Sequence, residues 1–425
     1  MRVLLLTPFP PSFDATHGGA RVIGQVVHNL ADRHCVAVMY LRGNSEPGID
    51  PTVKARCDHV WEIARPSHNT GGPRHWTHRL WTLYRLLRGR PEWVTNWHVP
   101  TLHDQLKLAI QTWNPDVIQV EYSVMGQYLQ GLRAYRIPSI LTIYEPTAHA
   151  TAERDLRPRR RAVQLWLDRR AWKRYERNAI ATASAVVVFT HRDRDIINKL
   201  SPKTRIVCIP LGSELTGRPL DPLGSTPAST IFIGNFSHPP NLDAAERLIH
   251  SIFPKVQEQV PDVTLLIVGD GAPDGLRQMA TESIVVTGWV SSVIPYLDRA
   301  AVVVAPIRSG GGTRVKILEA LVAGKAIVAS PRAVEGLDIQ AGVHVVIAED
   351  DQEFADAVTS LLRNDNLRME LAGNARSWAM TNLGWSDSMT LYEGLYSSLI
   401  QNSPADDAGT IDHSSNELEA RNRGA

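Results

Sequence analysis

Short runs that are apolar at nearly every position alternate along this chain with longer segments in which apolar residues return every three or four positions. RVLLLT (2–7), CVAVMYL (35–41), DVIQVEY (116–122), SILTIY (139–144) and AVVVFT (185–190) are such runs. Strands of this kind are covered on both faces, which is the pattern of a parallel sheet. Between them the helical period predicts helices near 20–32, 100–112 and 160–182. The first half therefore reads as a doubly wound α/β domain.

The pattern breaks in the proline- and glycine-rich stretch IPLGSELTGRPLDPLGSTP and then restarts with STIFIGN (229–235), VTLLIVGD (263–270), SIVVTG (283–288), AVVVAPI (301–307), KAIVAS (325–330) and HVVIA (344–348). Helices are expected at about 241–258, 314–323 and 352–363. This divides the chain into a first domain (1–210), a linker (211–228), a second α/β domain (229–384), a helix returning to the first domain (385–400) and a tail (401–425). The tail lacks aromatics and periodicity and reads as disordered. Two tandem domains of this class place a cleft between the carboxyl ends of their sheets, where ligands of such folds bind.

The segment with the most chemistry is APIRSGGGTRVKILEALVAGKAIVAS (305–330). A buried strand ends at Ile307, and Gly310, Gly311 and Gly312 precede a helix that starts near Thr313. Glycines let backbone approach a ligand closely, and amides at a helix N-terminus suit phosphate oxygens. Arg314 and Lys316 add cationic donors where a diphosphate would lie. Glu319, one turn on, is placed to accept hydrogen bonds from both hydroxyls of a ribose. Set against this, a lone GGG is an ordinary flexible turn, and only the whole arrangement is specific.

That segment resembles the donor domain of retaining, family-4-type glycosyltransferases of the GT-B fold, in particular the bacterial branch with the signature GGGTRLKILEAMA. FIGNFSHPPNLDA (232–244), LLIVGDGAPDGLRQMA (265–280), VVTGWVSSVIPYLDRAAVVVAPI (285–307), AVEGL (333–337) and GNARSWAM (373–380) extend the resemblance over most of 229–400. In the first half only TPFPPSFDATHGGAR carries it. The resemblance implies two Rossmann-like domains facing a central cleft, with Glu319 on the nucleotide ribose. It puts Gly312, Thr313 and Arg314 in the loop on the donor's sugar and diphosphate, and Trp289 and Val290 at the turn that meets the base. It also implies that Gly18 and Gly19 close over the phosphates, with Arg21 helping from the opposite domain. The first Glu of the family's E-x7-E motif falls at Gly311, and the loop after the first donor-domain strand carries His238 and Asn241 instead of Arg and Lys.

The implied activity is transfer of a sugar from a UDP- or GDP-sugar to a hydroxyl of a glycan or lipid-linked acceptor, with retention, in cell-surface or extracellular polysaccharide or glycolipid synthesis. Arg314 and Lys316 would stabilise the departing diphosphate. Glu145, at the end of SILTIY, is the candidate acceptor contact, although a turn residue before proline explains it equally well; His149 is a weaker one. No metal or other cofactor is expected, since cations already neutralise the diphosphate. Asp193-Arg194-Asp195 has the form of a metal-binding DxD, but acids at a helix start suit the helix dipole. The alternative readings are a catalytically degenerate nucleotide-sugar-binding scaffold, favoured by Gly311, and another GT-B activity such as epimerase or phosphorylase. No G-x-G-x-x-G follows a first strand, as an NAD-dependent oxidoreductase requires.

Composition narrows the partners. With 45 Lys+Arg against 44 Asp+Glu, no net charge draws nucleic acid at long range. Cys35, Cys57 and Cys208 have neither zinc nor disulfide spacing and read as reduced thiols of a cytoplasmic protein. Two basic stretches, 74–90 and 154–177, are interleaved with tryptophans, and eight of the eleven tryptophans precede residue 173. Such helices suit an anionic membrane surface and would place the protein peripherally on the inner face of the plasma membrane. An amphipathic helix packed on its own sheet gives the same pattern.

Overall fold

The computed structural model describes residues 1–13, 15, 18–44, 46–66, 89–146, 162–213, 218–225, 228–310 and 315–402. Seven parallel strands form the first sheet: β1 (Arg2–Thr7), β2 (Cys35–Arg42), β3 (His59–Ala64), β4 (Val117–Glu121), β5 (Ser139–Ile143), β6 (Ala185–Val188) and β7 (Ile206–Cys208). Their spatial order is β3-β2-β1-β4-β5-β6-β7. Six parallel strands form the second: β8 (Ser229–Ile233), β9 (Thr264–Val268), β10 (Ile284–Val286), β11 (Val302–Ala305), β12 (Ala326–Ala329) and β13 (Val346–Ile347), ordered β10-β9-β8-β11-β12-β13.

All eleven runs read as strands in the sequence lie in these sheets. The strands β3 and β7 were not expected, for a physical reason. The edge strand β3 buries only Ile63, and β7 is three half-buried residues long, so neither carries a continuous apolar run. The central strands do: β4, β5, β6 and β8 are buried at every position.

Each face of the first sheet is covered by helices whose apolar stripe matches it. The helix Gly18–Leu30 buries Val22, Ile23, Val26, Val27 and Leu30 against Val3 and Leu5. Helices Pro100–Trp113 and Ala162–Thr182 cover Leu4 and Leu6 from the other side, through Leu102, Leu106 and Trp172 among others. Each such side chain contributes about 1.5–3 kcal/mol on burial. The last helix, Trp385–Gln401, lies on the first domain: Trp385 Nε1 donates to Gln25 Oε1 at 3.0 Å, Ser388 Oγ to Pro210 O at 2.7 Å, and Tyr396 OH to Gln119 Oε1. A Cβ on Gly212 would stand 2.4 Å from the Trp385 ring, so the connecting chain can pass there only as glycine. Among the described residues no helix is long and apolar enough to cross a membrane.

Lys325, at the base of β12, is fully buried, with its Nζ on the carbonyls of Asp298 (3.1 Å) and Asp221. Burial pulls its pKa down to about 8, against the smaller opposing pull of Asp298 and Asp221. Between that value and the ordinary lysine range the unfolded chain holds a proton that the fold has released, so stability rises with pH there. Relative to Lys325→Met, the unfolding free energy of the native chain should climb by up to about 3 kcal/mol between pH 7.5 and 10.5. Paired urea titrations test this, and a pH-independent difference would refute it.

Candidate functional site

Each sheet reverses its winding once, between β1 and β4 in the first and between β8 and β11 in the second. Chains leaving a sheet in opposite directions open a crevice at the carboxyl ends, where ligands of this architecture bind. In the second sheet the crevice is flanked by Gly234–His238 after β8 and by Pro306–Gly310 after β11. Gly310, with φ +90°, begins the glycine turn; Gly311, Gly312, Thr313 and Arg314 lie outside the described residues. Beyond them the helix Val315–Ala323 starts. Lys316, in its first turn, donates from Nζ to Asn241 Oδ1 at 2.8 Å and stands 4.3 Å from the Phe232 ring centroid. Asn241 in turn donates to Asn235 O at 2.8 Å. The side chain of Lys316 thus reaches across the crevice from one loop to the other. Asn241 stands where a cation was expected and holds this one.

The two domains meet at helix starts. Gly18 opens the helix Gly18–Leu30, and a Cβ there would lie 3.4 Å from Cβ of Val315, the first residue of the opposing helix. Two positive helix ends therefore converge from opposite domains. Gly19 is buried directly behind. Arg21, one turn in, does cross to the second domain, but onto Glu319. Its Nε and Nη2 donate to the two carboxylate oxygens at 2.7 and 2.8 Å, and its Nη1 donates to Ala15 O at 2.6 Å. Both side chains of this bidentate pair are almost fully buried. The carboxylate expected on a ribose is thus engaged by the arginine expected near the phosphates.

A second ion-pair chain links the domains on the other side of the glycine turn. Arg192, at the start of the helix His191–Leu200, pairs with Glu335 at 2.9 Å; Glu335 also pairs with Arg332, whose Nε donates to Gly310 O at 2.9 Å. Gly336 packs beside Thr190, 3.1 Å from Cγ2 to a Cβ built on it. AVEGL drew attention in the sequence, but nothing there paired Glu335 with Arg192, 143 positions away. Trp289 is 58% exposed in the turn after β10, and Val290 beside it is half-buried. Thr190 caps the helix His191–Leu200: its Oγ1 accepts from the Asp193 N–H at 3.1 Å and donates to Asp193 Oδ2 at 2.9 Å, while Asp195 pairs with Arg194.

On the first-domain side, aromatics line the strand ends. Tyr122 stacks on Tyr144 at 4.0 Å, and Phe9 meets Tyr122 edge-on at 5.1 Å, across the switch between β1 and β4. Tyr122 has φ +70°, a strained backbone for a non-glycine residue, costing about 1–3 kcal/mol. No local signal in the sequence reveals it. Glu145, two residues beyond β5, is half-buried and close enough for its charge to act on Tyr122 and Asp193. Burial foremost, then Glu121 and Glu145, push the Tyr122 phenol well up. Burial also raises Glu121, whose Oε1 accepts from Gln119 Nε2 at 2.5 Å and Thr142 Oγ1 at 3.2 Å. Gln119 thereby ties this buried carboxyl to Tyr396 of the last helix.

Of the two basic stretches, 74–88 and 154–161 lie outside the described residues, as does His149. In the helix Ala162–Thr182, Trp172 is buried against Trp93 and Tyr175, so it serves the core and not a surface. Trp166 is exposed, as are Arg170, Lys173, Arg174 and Arg177.

The family model "Glycosyl transferase 4-like domain" matches residues 17–212, and "Glycosyl transferases group 1" matches 227–364. A phosphatidyl-myo-inositol mannosyltransferase of Mycobacterium leprae is 32% identical over 180 residues, 41% of this chain and 46% of that protein. An uncharacterized glycosyltransferase of Methanocaldococcus jannaschii is 28% identical over 149 residues, 32% and 38% of the two chains. The match thus spans less than half the length of these relatives. Among solved structures, sucrose-phosphate synthase of Thermosynechococcus elongatus superposes with a TM-score of 0.67 at 15% identity, covering 94% of this chain and 100% of that one. Anabaena HepE in complex with UDP-glucose gives 0.61 at 13%, covering 93% and 100%. With both domains matched in sequence and the whole architecture matched in space, the chain belongs to the group 1 glycosyltransferases of the two-domain GT-B fold.

Proposed function

We propose that this protein transfers a sugar from a nucleoside diphosphate donor to a hydroxyl of a glycan or lipid-linked acceptor, with retention, in the synthesis of a cell-surface or extracellular polysaccharide or glycolipid. The observation that carries the reading is the convergence of two helix N-termini, at Gly18 and Val315, beside the carboxylate of Glu319. A diphosphate seated there faces positive potential from both domains, while Glu319 is within reach of a ribose one helical turn deeper. Gly310, Gly311, Gly312 and Thr313 supply the amides of that seat, with Arg314 and Lys316 as its cations. Trp289 and Val290 border the base.

In the reaction the bond between the anomeric carbon and the diphosphate oxygen breaks. A bond to the acceptor oxygen forms, and the acceptor proton leaves with the diphosphate. Negative charge grows on the departing phosphate, and donors already aimed at it lower that barrier most. Glu145 and the half-buried rings of Tyr122 and Tyr144 border the first-domain side, where the acceptor enters. Membrane attachment through 74–90 and 154–177 belongs to the same proposal: the protein should sediment with anionic vesicles and be released by high salt, and binding that ignored lipid charge would end it.

Incubation with UDP-glucose, other UDP-sugars and GDP-sugars, with and without a glycan acceptor, tests the activity by release of nucleoside diphosphate. Release with one donor class is expected. Tight nucleotide binding without turnover over all acceptors would favour the scaffold reading, for which Gly311 at the motif's first glutamate position speaks.

A further inference from the structure

A second cavity, of about 340 Å3, lies in the first domain and shares no lining residue with the space around Arg21 and Glu319. It opens between Gly89–Arg90, His98 and His103, the turn Ser123–Tyr128 and the second half of the helix Ala162–Thr182. Its size is at the lower end of small-molecule sites, enough for one sugar unit. Among the described residues, four of its lining side chains are basic, Arg90, Arg174, His98 and His103, and none is a carboxylate. Over the whole chain the two signs balance, so the one-sided lining is a local feature.

Arg90 and Arg174 come from the two basic stretches, and the fold brings both to the wall of this one cavity. Gly89 has φ +74°, and a Cβ there would meet Arg174 Cδ at 2.7 Å, so the chain passes over the stem of Arg174 just before presenting Arg90. Several other surface arginines, such as Arg33, Arg42, Arg56, Arg65 and Arg308, are paired with carboxylates. Arg90 and Arg174 make no ion pair or hydrogen bond among the described residues. Two guanidinium groups lining one cavity repel each other, and a shared anion turns that repulsion into attraction.

The neutral part of the lining is built as well. Gln127 spends its amide N–H groups on the carbonyls of Val94 and Val124, both at 3.1 Å, so its Oε1 accepts from His98 Nδ1 at 3.1 Å and fixes that ring. Gln130, Asn178 and Thr182 add donors and acceptors along the rim. We propose that this cavity binds a phosphorylated sugar or polyol, its phosphate between Arg90 and Arg174 and its hydroxyls on Gln130, Asn178 and Thr182. The proposal does not depend on the donor-site reading. A soluble sugar phosphate and a phospholipid headgroup share this chemistry.

Calorimetry on the full chain with glucose 6-phosphate, with and without saturating UDP, tests the soluble source. Co-sedimentation with phosphatidylglycerol vesicles, against phosphatidylcholine vesicles, tests the lipid one. The variants are Arg90→Gln with Arg174→Gln, and Gln130→Glu, which puts an acid into the lining without changing its shape. All three positions are exposed, so both variants should fold as the native chain does. The expected result is that glucose does not bind, that glucose 6-phosphate or the anionic vesicle does, and that both variants weaken this at least about 10-fold with UDP affinity unchanged. Loss confined to one probe identifies the source. No binding of either probe by the native chain, or equal binding by native and variant chains, overturns the proposal.

Discussion

Glu319→Ala should weaken UDP binding by about 100-fold, while Arg21→Met strengthens it by up to about 10-fold. Both oxygens of Glu319 are taken by Arg21 in the structure, and they are the oxygens that a ribose diol would use. The nucleotide therefore competes with a guanidinium from the other domain. Two hydroxyl–carboxylate bonds at about 1.5 kcal/mol each give about 3 kcal/mol, which is the 100-fold. Removing Arg21 removes the competitor and leaves both carboxylate oxygens to the diol. Methionine keeps the apolar stem against its neighbours. Titration calorimetry on the two variants decides the matter. If Arg21→Met weakens UDP as much as Glu319→Ala does, the guanidinium contacts the diphosphate, and its pairing with Glu319 is only the resting arrangement.

The same pair bridges the two domains. Removing one partner of a buried ion pair ordinarily costs about 3–5 kcal/mol, because the other charge is stranded. This pair crosses between domains, so separating them hydrates the stranded group, and the cost cannot exceed the free energy of opening. Each single variant should therefore open before it unfolds, seen as a larger radius of gyration in solution scattering. Arg21→Met combined with Glu319→Leu strands no charge and should stay closed, yet bind UDP no better than Glu319→Ala.

Much of this architecture was legible in the sequence because buried parallel strands leave uninterrupted apolar runs. Val302–Ala305 and Ala326–Ala329 could hardly be anything else. What escaped was what such runs do not encode. The edge strand His59–Ala64 buries only Ile63 and shows no apolar run; Ile206–Cys208 is too short to show a period. At the site, local spacing singled out Gly310, Lys316 and Glu319, since strand, glycine turn and helix are contiguous. Partnerships across the chain were not visible. Arg21 with Glu319, Arg192 with Glu335 and Gln119 with Tyr396 are separated by 298, 143 and 277 positions, and each exists only because the domains dock and the last helix returns. The strain at Tyr122 is a backbone property that tertiary packing imposes on an ordinary side chain.

Gly269→Ala should cost about 2–6 kcal/mol and abolish nucleotide binding. Gly269 leaves β9 with φ +136°, and a Cβ there would stand 2.0 Å from the carbonyl oxygen of Gly234 at the end of β8. The obstacle is backbone, so no rotamer change relieves it. An unfavourable φ at about 1–3 kcal/mol adds to an overlap of similar cost. Relief requires Gly234 to move, and Gly234 begins the loop that carries Asn235 and leads into the helix Pro239–Arg247 with Asn241, on which Lys316 rests. The damage therefore reaches the donor side directly. Gly373→Ala is the matched control: it lies within the helix Asp365–Asn382, and a Cβ there meets nothing within 4 Å. That substitution should stabilise by about 0.5–1 kcal/mol, since alanine loses less entropy in a helix. Urea unfolding of both variants, with UDP titrations alongside, reads the contrast. Equal, small effects would mean that the ends of β8 and β9 yield easily, and that the floor of the nucleotide site is softer than its packing indicates.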